Sequence, residues 1–177
     1  MPPRSRRRLV GLLFALVLLL GACGYSFVRY GGGLGDVRRV AIRGLTNDTF
    51  EPGVDALVSE ALTREFRQRG ALRLVDDPAL ADLVIGGVVK RISIRRRSFS
   101  SVLFALEYEV RMELGLSIER RDGTSVAIDP NALAESERYL ASSAVEVTRT
   151  NREEALRRLS GVLAARVHDA LYERISP

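Results

Sequence analysis

The chain has 177 residues, of which 46% are hydrophobic and 28% charged. This length is typical of one domain, which can bury a core without disulfides or a structural metal. A single cysteine excludes an internal disulfide framework, and the one histidine adds too few ligands for a conventional zinc site. The net charge of +5 alone would suggest nucleic acid or an anionic membrane as a partner.

The first 22 residues have the pattern of a secretory signal. Residues 1–8 contain four arginines and no acidic residue, and residues 9–22 form an apolar run of 14. A membrane-spanning helix needs about 20 such residues, so this run behind a basic start is typical of a signal peptide. The run ends in Leu20-Gly21-Ala22-Cys23, where small residues precede the only cysteine, as in a bacterial lipobox. We therefore predict a cleaved lipoprotein signal peptide at 1–22.

Cleavage would make Cys23 the mature N-terminus, carrying a covalent diacylglycerol and an N-acyl chain such as palmitate. Two or three acyl chains give stable anchoring where a single chain does not. Gly24, in place of an aspartate, favours the periplasmic leaflet of the outer membrane. The alternative is an uncleaved short anchor with a chance cysteine.

Removal of the signal changes the meaning of the charge. From Cys23 onward the chain has 23 basic and 22 acidic side chains, because the signal contains four arginines and no acid. We therefore expect no nucleic-acid partner. Residues 23–36 are predicted to be a lipidated N-terminus and linker, and residues 37–177 a single domain. The glycine cluster at 31–35 neither follows a strand nor opens a helix, so it is interpreted as linker rather than as a phosphate loop.

The spacing of apolar residues predicts the elements of this domain. In chain order they are a strand at 37–45, a helix at 52–69 ended by Gly70, strands at 71–75, 81–95 and 106–118, a hairpin turn at 121–123, weaker strands at 124–128 and 133–140, and a helix that Asn151 and Glu154 would begin as a capping box. This order predicts an α+β two-layer sandwich, in which two amphipathic helices cover one face of a mixed or antiparallel sheet of about four strands.

The long strand at 81–95 contains a change of phase. Leu83, Ile85 and Val89 share one parity, whereas Ile92 and Ile94 have the other. Since a slip of one residue turns every following side chain to the opposite face, we predict a β-bulge near Lys90 and Arg91.

Groups for catalysis are scarce in the sequence. His168 is the only histidine, and its place between Val167 and Asp169 predicts a surface or boundary residue. The sequence has no nucleophile elbow, Walker-type phosphate loop or metal triad. We therefore expect no enzyme activity, no metal site, and no cofactor besides the acyl chains on Cys23.

One basic cluster has two interpretations. Its members fall within eight residues and are Lys90, Arg91, Arg95, Arg96 and Arg97. Guanidinium groups suit phosphate because of their bidentate fork and permanent charge, so the cluster could contact a phosphate-bearing ligand. The alternative is a solvated strand end whose charges protect a sheet edge against aggregation.

Several segments in a fixed order carry a resemblance to a known family. They are Cys23-Gly24-Tyr25 with Phe27, the turn Thr46-Asn47-Asp48-Thr49, Glu51-Pro52-Gly53, Glu65-Phe66, Leu74-Val75, the strand at 81–87, the strand containing Tyr108, and a C-terminal helix. This set resembles the LptE family of lipopolysaccharide-assembly lipoproteins across the mature chain. The resemblance implies an outer-membrane lipoprotein that plugs the lumen of the LptD β-barrel, binds lipopolysaccharide and assists assembly.

A second group of lipoproteins also begins with such a strand, turn and helix. Periplasmic α/β lipoproteins resembling LpoB and CsgG share the features seen in Val40-Ala41-Ile42 and Thr46-Asn47. Such proteins activate peptidoglycan synthases or build secretion pores. The long alternating strand at 106–118 and the early linker favour the LptE resemblance.

Overall fold

Six strands and two long helices make up the computed structural model, which describes residues 36–99 and 105–175. The strands are β1 (Arg39–Ile42), β2 (Thr46–Asn47), β3 (Arg73–Leu74), β4 (Leu83–Phe99), β5 (Ala105–Arg120) and β6 (Ala134–Leu140). The helices are α1 (Val54–Arg69) and α2 (Val145–Ile175), and short 3-10 turns lie at Pro78–Leu80 and Pro130–Leu133.

The strands form one mixed sheet in the order β3-β1-β4-β5-β6. β1 lies parallel to both β3 and β4, while β4, β5 and β6 form an antiparallel meander. β2 continues the row of β1 along the same edge of β4. The predicted α+β class is confirmed. The sheet has six strands rather than about four: the predicted strand at 37–45 divides into β1 and β2, and the short strand predicted at 71–75 joins the sheet as its edge strand β3.

Both helices cover the same face of the sheet. α1 buries Val58, Leu62 and Phe66, and α2 buries Leu159, Leu163 and Leu171, in one core with the inward side chains of the sheet. Those inward side chains are Val40, Leu83, Ile85, Val89, Val110, Met112, Leu114 and Ile118. The opposite face is called here the open face, because no described element packs over it.

The predicted bulge is confirmed. Val89 pairs with Leu114 and Arg91 pairs with Glu113, so Lys90 is the extra residue between two neighbouring pairs. The insertion lets Val89 and Ile92 both face the helices although their numbers differ in parity.

The second helix begins earlier than predicted. α2 starts at Val145, so Asn151 and Glu154 lie inside it and do not form a cap. A different pair organises this end: the amide of Ser142 donates to Thr148 Oγ1 at 2.9 Å, and the amide of Ala144 donates to Ser142 Oγ at 3.2 Å. Asn151 instead donates from Nδ2 to the carbonyl of Leu140 at 2.9 Å.

The prediction that His168 lies at the surface or boundary is wrong. His168 is only 3% exposed, and its ring contacts the ring of Phe66 edge to face, with 5.1 Å between the ring centroids. His168 therefore belongs to the packing between α1 and α2. The weak strand predicted at 124–128 also does not form: after the turn at 121–123, the segment contributes one isolated bridge, between Glu119 and Ser125, and no strand.

Candidate functional site

The structure describes the predicted basic cluster but not the predicted lipid-attachment residue. Cys23 and the signal at 1–22 lie outside the described residues, so both remain predictions. The cluster lies on β4, directly after the bulge. The candidate site is therefore built from β4 and the strand that faces it, β5.

The sheet register divides the cluster between two faces. Arg91 pairs with Glu113 and Arg95 with Glu109, whereas Arg96 pairs with Tyr108 on the helix-covered side. Arg97 reaches Glu109 on the open face, with 3.7 Å between Nε and Oε2. Thus Arg91, Arg95 and Arg97 share the open face, and Arg96 does not.

A row of glutamates on β5 faces these arginines. The sequence alone did not identify these glutamates as part of the site. Glu107, Glu109 and Glu113 occupy alternate positions of β5 and so lie on the open face. Glu107 is 4.0 Å from Arg138 on β6, and Glu113 is 3.2 Å from Arg111. This part of the open face therefore carries side chains of both charges. In the sequence, the alternation of Glu along 106–118 was the signal for it.

Lys90 lies flat over the same face. A Cβ at position 115 would come within 2.1 Å of Lys90 Cε, so the lysine stem occupies the space that a side chain at Gly115 would need. The glycine therefore creates the groove in which the stem of this bulged residue lies.

Arg96 stands near the outer limit of the helix-covered face. Its partner Tyr108 stacks on Tyr139 with ring centroids 5.4 Å apart. Burial raises the pKa of Tyr139. Beside this pair, Arg152 of α2 reaches Glu51 at 3.4 Å and ties the helix to the loop before α1. This end of the fold thus presents one guanidinium next to an ordered aromatic pair.

The strongest electrostatic feature lies at the other end of β4. The Asp82 carboxylate accepts from the amides of Arg38 and Arg39 at 3.2 and 3.0 Å, and from Arg39 Nη2 at 2.9 Å. Arg121 approaches it at 3.6 Å. The hydrogen bond from the Arg39 side chain is the largest cause that lowers the pKa of Asp82 to about 2. This node joins β1, β4 and the turn after β5, so its role is structural.

The described ranges 36–99 and 105–175 offer cations and hydrogen-bond donors rather than metal ligands. Within them, no three His, Cys, Asp or Glu side chains gather as a metal site would require. In the same ranges, no helix has the length and apolar content to cross a bilayer. The arrangement on β4 is suited to binding anionic groups through permanently charged guanidinium groups.

Comparison with solved structures identifies the fold. The chain is similar to rare lipoprotein B from Shewanella oneidensis, with a TM-score of 0.54 and 11% identity, covering 77% of this chain and 95% of that one. It is also similar to hypothetical protein CT253 from Chlamydia trachomatis, with a TM-score of 0.54 and 9% identity over 78% and 98% of the two chains. It is similar as well to uncharacterized lipoprotein B from Nitrosomonas europaea, with a TM-score of 0.50 and 15% identity, covering 81% of this chain and 87% of that one.

Comparison with sequences identifies the family. No curated protein sequence matches the chain. The family model described as LptE, lipopolysaccharide-assembly, matches residues 37–171, which is almost all of the described domain. This match favours the LptE resemblance over the LpoB and CsgG alternative. The chain therefore belongs to the LptE family of lipopolysaccharide-assembly lipoproteins.

Proposed function

We propose that this chain is lipid-anchored at Cys23 in the periplasmic leaflet of the outer membrane. There it partners and plugs an LptD-like β-barrel, binds lipopolysaccharide and assists its assembly into the membrane. The observation that carries this proposal is the family match across residues 37–171. The anchor rests on the lipobox at 20–23.

The charged open face is compatible with such a partner. A large outer-membrane barrel has a polar interior, so a plug needs a folded domain whose exterior is hydrophilic. Here the open face beyond the bulge presents arginines of β4 opposite glutamates of β5, while the buried apolar side chains of both strands face the helices. A surface of both charges suits a polar wall better than it suits a lipid or a nucleic acid.

Affinity purification from detergent-extracted outer membranes tests the partner. We expect stoichiometric recovery of one large barrel protein with the tagged full-length chain. Recovery of a peptidoglycan synthase, or a ring made only of this chain, would instead support the LpoB and CsgG alternative.

We further propose that the basic cluster contacts phosphates of lipopolysaccharide. Among the described residues, Arg91, Arg95 and Arg96 make no ion pair within 4.0 Å, whereas Arg97 is held by Glu109. The first three therefore offer guanidinium groups that need not release a carboxylate before they bind a phosphate. Lys90, stretched over Gly115, places a fourth cation beside Arg91.

Charge reversal tests this contact. Replacing Arg95, Arg96 and Arg97 together by Glu should weaken lipopolysaccharide binding by the purified full-length chain in detergent. The matched control replaces Arg64, Arg67 and Arg73, which are exposed on α1 and β3, and it makes the same change in net charge. If both triple variants lose affinity equally, the effect is one of total charge and the assignment to β4 fails.

Metabolic labelling tests the anchor. Cys23→Ala should abolish incorporation of radioactive palmitate, because no other cysteine exists in the chain. Label that persists in the variant would refute the lipobox assignment.

A further inference from the structure

The two long edges of the sheet differ in how their backbone is satisfied. At β6, the outward amide of Ser136 donates to Glu135 Oε1 at 2.8 Å, and the carbonyl of Leu140 accepts from Asn151 Nδ2 at 2.9 Å. The carbonyl of Arg138 accepts from Arg158 Nη2 at 3.5 Å. Side chains thus occupy three of the outward backbone groups that a further strand would use, which protects this edge against added strands.

Among the described residues, no side chain protects the second half of β4 in this way. β1 and β2 cover β4 only as far as the pair Asn47–Val89. The chain then turns away, because Asn47 Oδ1 accepts from the amide of Thr49 at 2.9 Å and Asn47 Nδ2 donates to the carbonyl of Glu51 at 2.7 Å. Within residues 36–99 and 105–175, no strand pairs with the outer side of β4 beyond Val89.

Backbone direction along this edge follows from the last pairing. The amide of Asp48 donates to the carbonyl of Val89 at 3.0 Å, so the backbone of Val89 points outward, away from β5. Direction alternates along a strand, and the bulge at Lys90 inserts one residue. Ile92, Ile94 and Arg96 therefore present their amides and carbonyls outward. These groups continue the line of outward backbone groups of β4 beyond the point where β2 ends.

The side chains of this edge alternate in chemistry. Arg91 and Arg95 face the open side, and Ile92 and Ile94 face the other, where Ile94 is 42% exposed. An incoming strand would place its own side chains beside these on both faces. Acidic residues would meet the arginines on one face, and apolar residues would meet the isoleucines on the other.

From this geometry we infer that the outer edge of β4, from Arg91 to Arg97, binds an extended segment of a partner protein by strand addition. The segment recognised would alternate acidic and apolar residues. Backbone hydrogen bonds supply affinity in this mode, and alternate side chains supply specificity. A second copy of this chain is a poor occupant, because paired β4 edges would bring arginines together and like charges on neighbouring strands are destabilising.

The inference goes beyond the proposed function and does not depend on it. Phosphate binding would use guanidinium side chains, whereas strand addition uses the backbone of Ile92, Ile94 and Arg96. A variant that changes only the outward backbone therefore separates the two, and a synthetic peptide replaces the natural partner in the test.

The test uses the full-length chain in detergent and two peptides of about seven residues, a usual strand length. One peptide alternates Glu with Val, and the other alternates Lys with Val. We expect the Glu peptide to bind and to slow amide hydrogen exchange in the fragment covering 91–97 but not in that covering 134–140. Ile94→Pro removes an outward amide and should weaken binding at least about tenfold. Ser136→Pro, which removes an outward amide on the protected β6 edge, should leave it unchanged.

A charge variant keeps the test decisive if Ile94→Pro fails to fold. Replacing both Arg91 and Arg95 by Glu should exchange the preference, so that the Lys peptide binds more tightly than the Glu peptide. The inference is overturned if the Glu peptide does not bind, in which case the arginines only protect the edge. It is also overturned if the outward amides of Ile92, Ile94 and Arg96 already exchange slowly without peptide, or if both proline variants bind equally well.

Discussion

Replacing Asp82 by Asn should destabilise the domain by about 1–2 kcal/mol at pH 7. The carboxylate is 19% exposed and lies against the amide and side chain of Arg39. Its pKa of about 2, against an ordinary 3.8, corresponds to about 2.4 kcal/mol if fully effective. Arg39 is 38% exposed, so solvent screening reduces this figure to the stated range. The asparagine loses the charge and keeps only one acceptor oxygen, so its amide nitrogen faces one of the N–H donors that the carboxylate accepts from.

The sign of the pH dependence follows from the direction of the shift. Because the folded state lowers the pKa of Asp82, the carboxylate stabilises the fold above the ordinary value of 3.8. This contribution is lost as the pH falls from about 4 towards about 2. The difference between wild type and Asp82→Asn should therefore be constant from pH 7 to pH 5 and shrink steadily below that.

Denaturant unfolding followed by far-UV circular dichroism measures this difference, since the chain has no tryptophan to report by fluorescence. The control is Asp36→Asn, which removes an exposed carboxylate 3.3 Å from Arg120. We expect the control to cost less than about 0.5 kcal/mol. A difference for Asp82→Asn that stays the same from pH 7 to pH 2 would refute the electrostatic origin.

Two further predictions concern packing and use the same unfolding assay. Gly87→Ala should lower the free energy of unfolding by about 1–3 kcal/mol, because the new Cβ would lie 2.3 Å from the backbone oxygen of Gly115. Gly115→Ala should lower it by less than about 1 kcal/mol, because the flexible end of Lys90 can move aside. Equal costs would show that backbone approach does not limit position 87. Phe66→Ala should cost about 3–5 kcal/mol, while Val162→Ala, which is exposed on α2, should stay within about 0.5 kcal/mol.

The bulge could be predicted from sequence because its signal is local. The phase of the apolar residues changes within β4 itself, and only one inserted residue reconciles both halves with a single buried face. The open outer edge of β4 could not be predicted in this way. It depends on where β2 ends, and that point is set by hydrogen bonds of one side chain, Asn47.

α2 shows how polar residues mislead a sequence reading. Asn151 and Glu154 have capping-box spacing, but Asn151 bonds the end of β6 and the helix begins at Val145. His168 follows Ala164 by four residues and precedes Leu171 by three, which is the spacing of one helix face. That spacing could have placed the histidine in the core. A polar side chain was instead assigned to the surface. The burial of His168 depends on its contact with Phe66, and the sequence does not show where α1 lies.

The basic cluster is one feature in the sequence and two in the fold. Arg91, Arg95 and Arg97 share a face with glutamates of β5, while Arg96 lies on the other face near Tyr108. A phosphate on the open face meets a field already partly neutralised, since Glu109 holds Arg97. Net charge within eight residues therefore overstates the attraction for an anion. Single substitutions Arg95→Ala and Arg96→Ala report on opposite faces of β4, so whichever lowers lipopolysaccharide affinity identifies the face that the ligand contacts.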